Sequence, residues 1–170
     1  MLDIFRAEIM ARTAHGEQMY GKHKYEKHLR DVIDVLKEFG FIGPEWIIAG
    51  WLHDTLEDTN IMVEDIAREF GDDVVALVIT VTAKSGTRRQ RQEQLLRQLQ
   101  ECPKAIPLKL ADRIANVRNC WETRSPLLFM YHREYTSFRA IKEIEVPYPL
   151  SVAALGMMWR ELDNLHGGLK

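Results

Sequence analysis

The chain is poor in cysteine. Cys102 and Cys120 are its two cysteines in 170 residues, and they form neither a CxxC pair nor a disulfide framework. A reducing compartment such as the cytoplasm is the expectation that follows. No apolar run approaches the roughly 20 residues needed to cross a bilayer, so no membrane partner is expected. The opening "MLDIFRAEIMARTAHGEQ" carries charges throughout and does not read as a signal peptide. An excess of one charge is also missing. Basic residues number 23 and acidic residues 25, a net charge of -2, which gives no global pull toward nucleic acid. There is no internal repeat, low-complexity tract or long linker. P-loop, GxGxxG and GxSxG motifs are absent too, which removes the commonest phosphate-cradle, dinucleotide and serine-hydrolase signatures.

What is present is an ordinary globular composition, 46% hydrophobic and 28% charged, at a length that suits one domain, residues 1–170. Helical periodicity dominates. A first helix is expected from Ile4 to about Met19. Leu29, Val32, Ile33 and Leu36 repeat at helical spacing within a second helix over 25–39, closed by Gly40. Pro44 suits the first turn of "PEWIIAGWLHDTLED". "TNIMVEDIAREFG" reads as a short helix ending at Gly71. "DDVVALVITVT" is rich in β-branched residues, yet Val74, Leu77, Val78 and Val81 fit i, i+3, i+4, i+7, and a helix is expected. "GTRRQRQEQLLRQLQ" and "AIPLKLADRIANVRNCW" follow as helices, and 126–145 and 149–165 as the last two. The fold class is all-α, with about eight or nine helices.

One stretch does not fit a plain bundle. "GWLHDTLEDT", residues 50–59, sets His53, Asp54, Glu57 and Asp58 against a very apolar entry. On a continuous helix these four cover less than half the circumference. A charged helix end is the bland reading of an isolated "HD". Two further residues shift the balance. His28 lies one turn into its helix beside Leu29 and Val32. Asp112 lies in "LKLADRIANVRN", in line with Asn116 and Asn119. An aspartate in an Ala- and Leu-rich helix is costly to bury unless paired or ligated.

The order H…HD…D, spread over three helices, is the pattern of the HD superfamily of metal-dependent phosphohydrolases. "AHGEQMYGKHKYEKH", "AGWLHDTLEDT", "FGDDVVALVITVT" and "KLADRIANVRN" together resemble the RelA/SpoT hydrolase domain, especially its small stand-alone alarmone hydrolases. The likeness covers residues 10–120 or so in the same order. "LHDTLEDT" is its most specific piece, and "REYTSFRAIKE" matches more loosely.

The resemblance implies a single HD-type helical domain whose metal ligands are His28, His53, Asp54 and Asp112, commonly for Mn²⁺. Two imidazoles and two carboxylates independently suit a borderline-hard divalent ion. Glu57 and Asp58 match the family's catalytic acid pair. Asn116 matches a residue near the ribose phosphate, Tyr135 a substrate-contacting tyrosine, and Lys84 a basic residue facing the phosphates. Lys22, Lys24, Arg88 and Arg89 are further candidates for a substrate rich in phosphate. The implied activity is removal of the 3′-pyrophosphate from a guanosine or adenosine alarmone, a small-molecule partner. Oligomeric state is left open.

Two departures bear on the substrate. The family usually reads "PYxxHP" at the first histidine, where this chain has "KYEKHL". The segment "EQMYGKHKYEKH" is short, with Met19 and Tyr20 where basic residues are usual. A phosphatase acting on a nucleoside monophosphate or a phosphorylated dinucleotide therefore stands as the alternative. A silent nucleotide-binding module ranks below both, because the Glu57–Asp58 pair is intact. His15 is expected to be structural or supporting rather than a ligand.

Overall fold

A computed structural model describes residues 2–83, 85–147 and 150–168. Among these, helices account for nearly all regular structure, in the order α1 (Leu2–His15), α2 (Glu26–Glu38), α3 (Pro44–Leu52), α4 (Thr55–Asp58), α5 (Val63–Phe70), α6 (Asp72–Val81), α7 (Arg88–Glu101), α8 (Ile106–Thr123), α9 (Leu127–Phe138) and α10 (Val152–Gly167). Short 3₁₀ turns at Pro103–Ala105 and Arg139–Glu143 adjoin α8 and α9. One small hairpin interrupts this pattern. Strands β1 (Met19–Tyr20) and β2 (His23–Lys24) pair antiparallel about Gly21, whose positive φ of 61° suits a residue with no Cβ.

The all-α expectation holds, and the valine-rich segment is the helix α6. Differences lie at the ends. α1 stops at His15, four residues short of the expected Met19, because Gly16 takes a positive φ and the chain turns into the hairpin. The helix expected over 126–145 gives way to a 3₁₀ turn after Phe138.

The more consequential difference is in "PEWIIAGWLHDTLED". It is not one helix. α3 ends at Leu52, and Asp54, at φ −103° and ψ −3°, breaks the path before the single turn α4. Thr55 is fully buried there and donates its hydroxyl to the Leu52 carbonyl at 2.7 Å, satisfying an acceptor that the broken helix leaves free.

The core joins Leu29, Val32 and Leu36 of α2 to Ile48 and Leu52 of α3, Leu77 and Val78 of α6, and Leu110 and Ile114 of α8. α2 is the centre, packed against both α3 and α8. Gly50 sets the α2–α3 spacing: a Cβ there would meet Ile33 Cγ1 at 2.9 Å, nearer than real Cβ contacts come. The absent side chain thus lets the helix that carries His28 lie close against the one that leads to His53. No described helix is long and apolar enough to cross a membrane.

Candidate metal centre and catalytic cleft

Three helices deliver four side chains to one point. His28 comes from the first turn of α2, His53 and Asp54 from the break after α3, and Asp112 from the middle of α8. His28 and His53 are each 2% exposed, values at which a polar ring needs a defined partner. Their Nε2 atoms lie 3.2 Å apart. Asp54 Oδ2 is 3.0 Å from His53 Nε2 and 3.4 Å from His28 Nε2, and Asp112 Oδ1 is 3.5 Å from His28 Nε2. Ligand atoms of His28, His53 and Asp112 all fall within 4.8 Å of one another.

The break at Asp54 explains how adjacent residues share a centre. On a continuous helix His53 and Asp54 would diverge by about 100°. The turn swings both side chains to the same side.

Surrounding groups fix these side chains. His53 Nδ1 donates to the Gly50 carbonyl at 2.9 Å, which turns Nε2 toward the centre. Tyr25 donates its hydroxyl to Asp54 Oδ2 at 2.6 Å. Asp112 accepts from Asn116 Nδ2 on Oδ1 at 2.6 Å and from Lys109 Nζ on Oδ2 at 2.8 Å. Burial opposes charge on His53, but Asp54 and Asp112 outweigh it and push its pKa up to about 9. Burial likewise opposes charge on Asp54, but His53 and His28 prevail and hold its carboxyl well below the usual range. Two inward imidazole nitrogens and two carboxylates form a donor set that demands positive charge at its centre. A borderline divalent cation fits that set.

Beside this centre opens a cleft of about 290 Å³. Its walls carry four carboxylates, Asp54, Glu57, Asp112 and Glu134, and four cations, Arg88, Arg91, Lys109 and Arg113. Glu57 faces the cleft and accepts from the Ala83 backbone N–H at 3.2 Å. Partial burial is the main cause that raises its pKa. Ala83 opposes this, while Asp54 and Asp58 add to it. Glu134 pairs with Arg88 and lies 3.6 Å from Arg113 Nη1. Arg113 is sandwiched between the rings of Tyr131 and Phe138, at 4.7 and 4.3 Å from guanidinium carbon to ring centroid. Its Nη1 is buried and makes no hydrogen bond.

The residues expected from sequence distribute as follows. His28, His53, Asp54 and Asp112 converge, and Glu57, Arg88 and Asn116 line the adjoining cleft. Asp58 is not among the cleft walls and is held by Gln18 Nε2 at 2.9 Å. Lys22 and Lys24 are exposed on the hairpin, and Lys24 pairs with Glu17 at 2.9 Å, away from the cleft walls. Arg89 is also exposed and pairs with Glu93. Tyr135 is turned toward α10, where it donates to Asp163 at 2.7 Å and stacks on His166. Tyr131, one turn earlier, lines the cleft instead. Lys84 lies outside the described residues. Sequence reasoning missed Arg91, Lys109, Arg113, Tyr131 and Glu134. Lys109 and Arg113 were findable, since each is within one turn of Asp112 on α8.

An all-α domain that gathers His, His-Asp and Asp from three helices around one cation-demanding centre defines the HD class. The chain belongs to the HD-domain family, whose model matches residues 7–134. It is 40% identical over 129 residues to the guanosine-3′,5′-bis(diphosphate) 3′-pyrophosphohydrolase of Aquifex aeolicus, covering 72% of this chain and 18% of that protein. It is 32% identical over 167 residues to a GTP pyrophosphokinase of Streptomyces coelicolor, again covering 18% of the relative. The chain thus spans less than a fifth of those two proteins. A shorter relative, the guanosine-3′,5′-bis(diphosphate) 3′-pyrophosphohydrolase of Xenopus tropicalis, is 35% identical over 124 residues, 68% of each chain. Among solved structures, a metazoan ortholog of SpoT described as hydrolysing ppGpp superposes with a TM-score of 0.72, over 95% of this chain and 96% of that one, at 22% identity.

Proposed function

We propose that the protein is a metal-dependent hydrolase that removes the 3′-pyrophosphate from a ppGpp-like purine alarmone, releasing pyrophosphate and a nucleotide with a free 3′-hydroxyl. The single observation that carries this is the junction of the His28–His53–Asp54–Asp112 centre with a cleft that places Glu57 and four cations beside it. The named activities of the Aquifex and Xenopus relatives support the same reading.

His28, His53, Asp54 and Asp112 hold a divalent ion, Mn²⁺ in this proposal. Such an ion supplies Lewis acidity toward a phosphoryl oxygen and makes water more acidic. Glu57 takes a proton from the attacking water, and its raised pKa makes it a stronger base than an ordinary carboxylate. The water oxygen bonds to the 3′-linked phosphorus, the bond from that phosphorus to the ribose oxygen breaks, and that oxygen gains a proton. Asp58 assists this proton traffic from the flank of α4. Lys109, Arg91, Arg88 and Arg113 offer charge-assisted donors to the two diphosphates. Asn116 contacts the ribose phosphate, and Tyr131 presents a ring to the nucleoside.

The testing experiment is incubation with Mn²⁺ and a panel of ppGpp, its adenosine counterpart, nucleoside monophosphates and phosphorylated dinucleotides. Release of pyrophosphate from a 3′-diphosphate is expected. Orthophosphate alone, or monophosphates cleaved faster than any alarmone, replaces this reading with that of an HD-type nucleotide phosphatase. The short hairpin with Tyr20 in place of a basic residue is what favours that second reading. The Tyr20 hydroxyl donates to Asn116 Oδ1 at 2.9 Å, occupying an acceptor that a nucleotide hydroxyl would otherwise use.

A further inference from the structure

His15 is buried at 6% exposure at the last position of α1, outside the cleft, and the chemistry above does not use it. Its surroundings link it to two carboxylates at once. On one side its Nδ1 is 2.8 Å from Gln18 Oε1, and Gln18 Nε2 donates to Asp58 Oδ2 at 2.9 Å. On the other its ring stacks on Tyr25, with centroids 4.5 Å apart and planes within 17°, and Tyr25 donates to Asp54 Oδ2 at 2.6 Å. The backbone closes the loop, with the Tyr25 N–H bonded to the Gln18 carbonyl at 2.9 Å and the Gln18 N–H to the His15 carbonyl at 2.9 Å.

Donor and acceptor roles in this network are determined by chemistry. A carboxylate only accepts, so Gln18 turns its amide NH₂ to Asp58 and its oxygen to His15. His15 must then carry a proton on Nδ1. Its Nε2 makes no hydrogen bond, so Gln18 supplies the polar contact that orients the ring, beside the Tyr25 stack.

We propose that His15 is a positioning residue that sets two carboxylates independently, Asp58 through hydrogen bonding to Gln18 and the metal-centre residue Asp54 through its stack on Tyr25. The two arms have different chemistry, so they can be severed separately. His15→Phe keeps a flat ring against Tyr25 but cannot donate to Gln18. His15→Asn keeps a donor where Nδ1 stood but loses the stack. This inference rests on the proposed hydrolysis for its Asp58 arm, and on metal binding alone for its Asp54 arm.

The experiment measures kcat and KM for ppGpp at saturating Mn²⁺, Mn²⁺ affinity by titration calorimetry, and Tm for the full chain and both variants. Residues that support ligands and catalytic groups typically contribute about 10–100-fold. His15→Phe is expected to lose about tenfold or more in kcat, with KM and Mn²⁺ affinity within about threefold of wild type. His15→Asn is expected to bind Mn²⁺ about tenfold more weakly, while its kcat at saturating metal exceeds that of His15→Phe by about threefold or more. A parallel loss of kcat and Mn²⁺ affinity in both variants, tracking their Tm, marks His15 as packing only and overturns the proposal. So does wild-type behaviour in both. If the wild-type protein releases no product from any nucleotide, the functional reading fails by itself. The calorimetry then decides, and His15→Asn binding Mn²⁺ as tightly as wild type overturns the inference.

Discussion

His28 and His53 face each other with their Nε2 atoms 3.2 Å apart, across the seam between α2 and the end of α3. Two imidazole nitrogens at that distance must either share a proton or donate lone pairs to a common cation. Asp54 and Asp112 close the same point from two other directions. Every group around the centre either brings negative charge or holds another group in place.

The first prediction concerns that cation. The purified protein is expected to take up one divalent ion per chain from Mn²⁺, measured by elemental analysis. His28→Ala and Asp112→Ala should abolish uptake. A cation that binds only the folded chain stabilises it by mass action, by about 2.7 kcal/mol at a hundredfold excess over Kd. Chelator should therefore lower the Tm of the wild type and leave both variants unchanged. A wild-type Tm indifferent to Mn²⁺ and to chelator would exclude the centre as a metal site.

Glu57 should separate metal binding from turnover. It faces the cleft from α4 and is not among the residues converging on the metal centre. Glu57→Gln is expected to keep full Mn²⁺ content and lose roughly 10²–10⁴-fold in kcat. With Glu57 as the base proposed above, activity is expected to rise with pH through its raised pKa. Wild-type kcat/KM should show an acidic limb that the residual activity of Glu57→Gln lacks. An acidic limb that persists in the variant assigns it to another group.

How much of this was legible in the sequence depended on periodicity. The 3.6-residue repeat reported α2, α6 and α8 directly, since each buries a continuous apolar stripe. It concealed the break at His53–Asp54. The apolar entry "WIIAGWL" and the polar exit "TLED" both have helical character, and the break itself is a matter of one residue's dihedrals, stabilised by the buried Thr55 hydroxyl. The candidate metal ligands stood out because their types and order are unusual in an apolar context. The cleft walls did not. Lys109, Arg113 and Tyr131 look like ordinary amphipathic positions until the packing of α8 against α9 sets them around one cavity. Tyr131 and Tyr135 stand one turn apart on α9, and it is the packing that puts the first on the cleft wall and the second against Asp163.

His166 predicts a pH dependence of stability distinct from that of catalysis. It is 4% exposed, stacked on Tyr135 at 4.0 Å, with neither ring nitrogen hydrogen-bonded. Burial, then Arg113 and His132, lower its pKa from 6.5 to about 4, with Asp163 opposing. The unfolded chain therefore binds a proton between pH 6.5 and 4 that the folded chain refuses. Stability from this residue is complete above pH 6.5 and falls as pH drops toward 4, by up to about 3 kcal/mol. His166→Phe keeps the stack and removes the titration. Its denaturant midpoint should vary less between pH 6.5 and 4.5 than that of the wild type, and equal slopes would rule the residue out as a source of acid sensitivity.

Arg113 is the cleft cation with the most to gain from a phosphate. Arg88 is committed to Glu134, and Lys109 to Asp112. Arg113, only 11% exposed in its side chain, packs against Tyr131 and Phe138, and its Nη1 lies 3.6 Å from Glu134 without making a hydrogen bond. A buried donor left unmatched carries a desolvation cost that an incoming phosphoryl oxygen would remove, so its contribution should appear in substrate binding. A hydrogen bond from a charged donor is worth about 1.5–3 kcal/mol, or roughly 10–150-fold in affinity. Arg113→Met fills similar volume between the two rings without the charge. It should raise KM for ppGpp by at least about tenfold, raise KM for a nucleoside monophosphate by less, and leave Mn²⁺ content intact. Steady-state kinetics on both substrates makes the comparison. An equal rise for both would mean that Arg113 shapes the cleft instead of reading the extra phosphates.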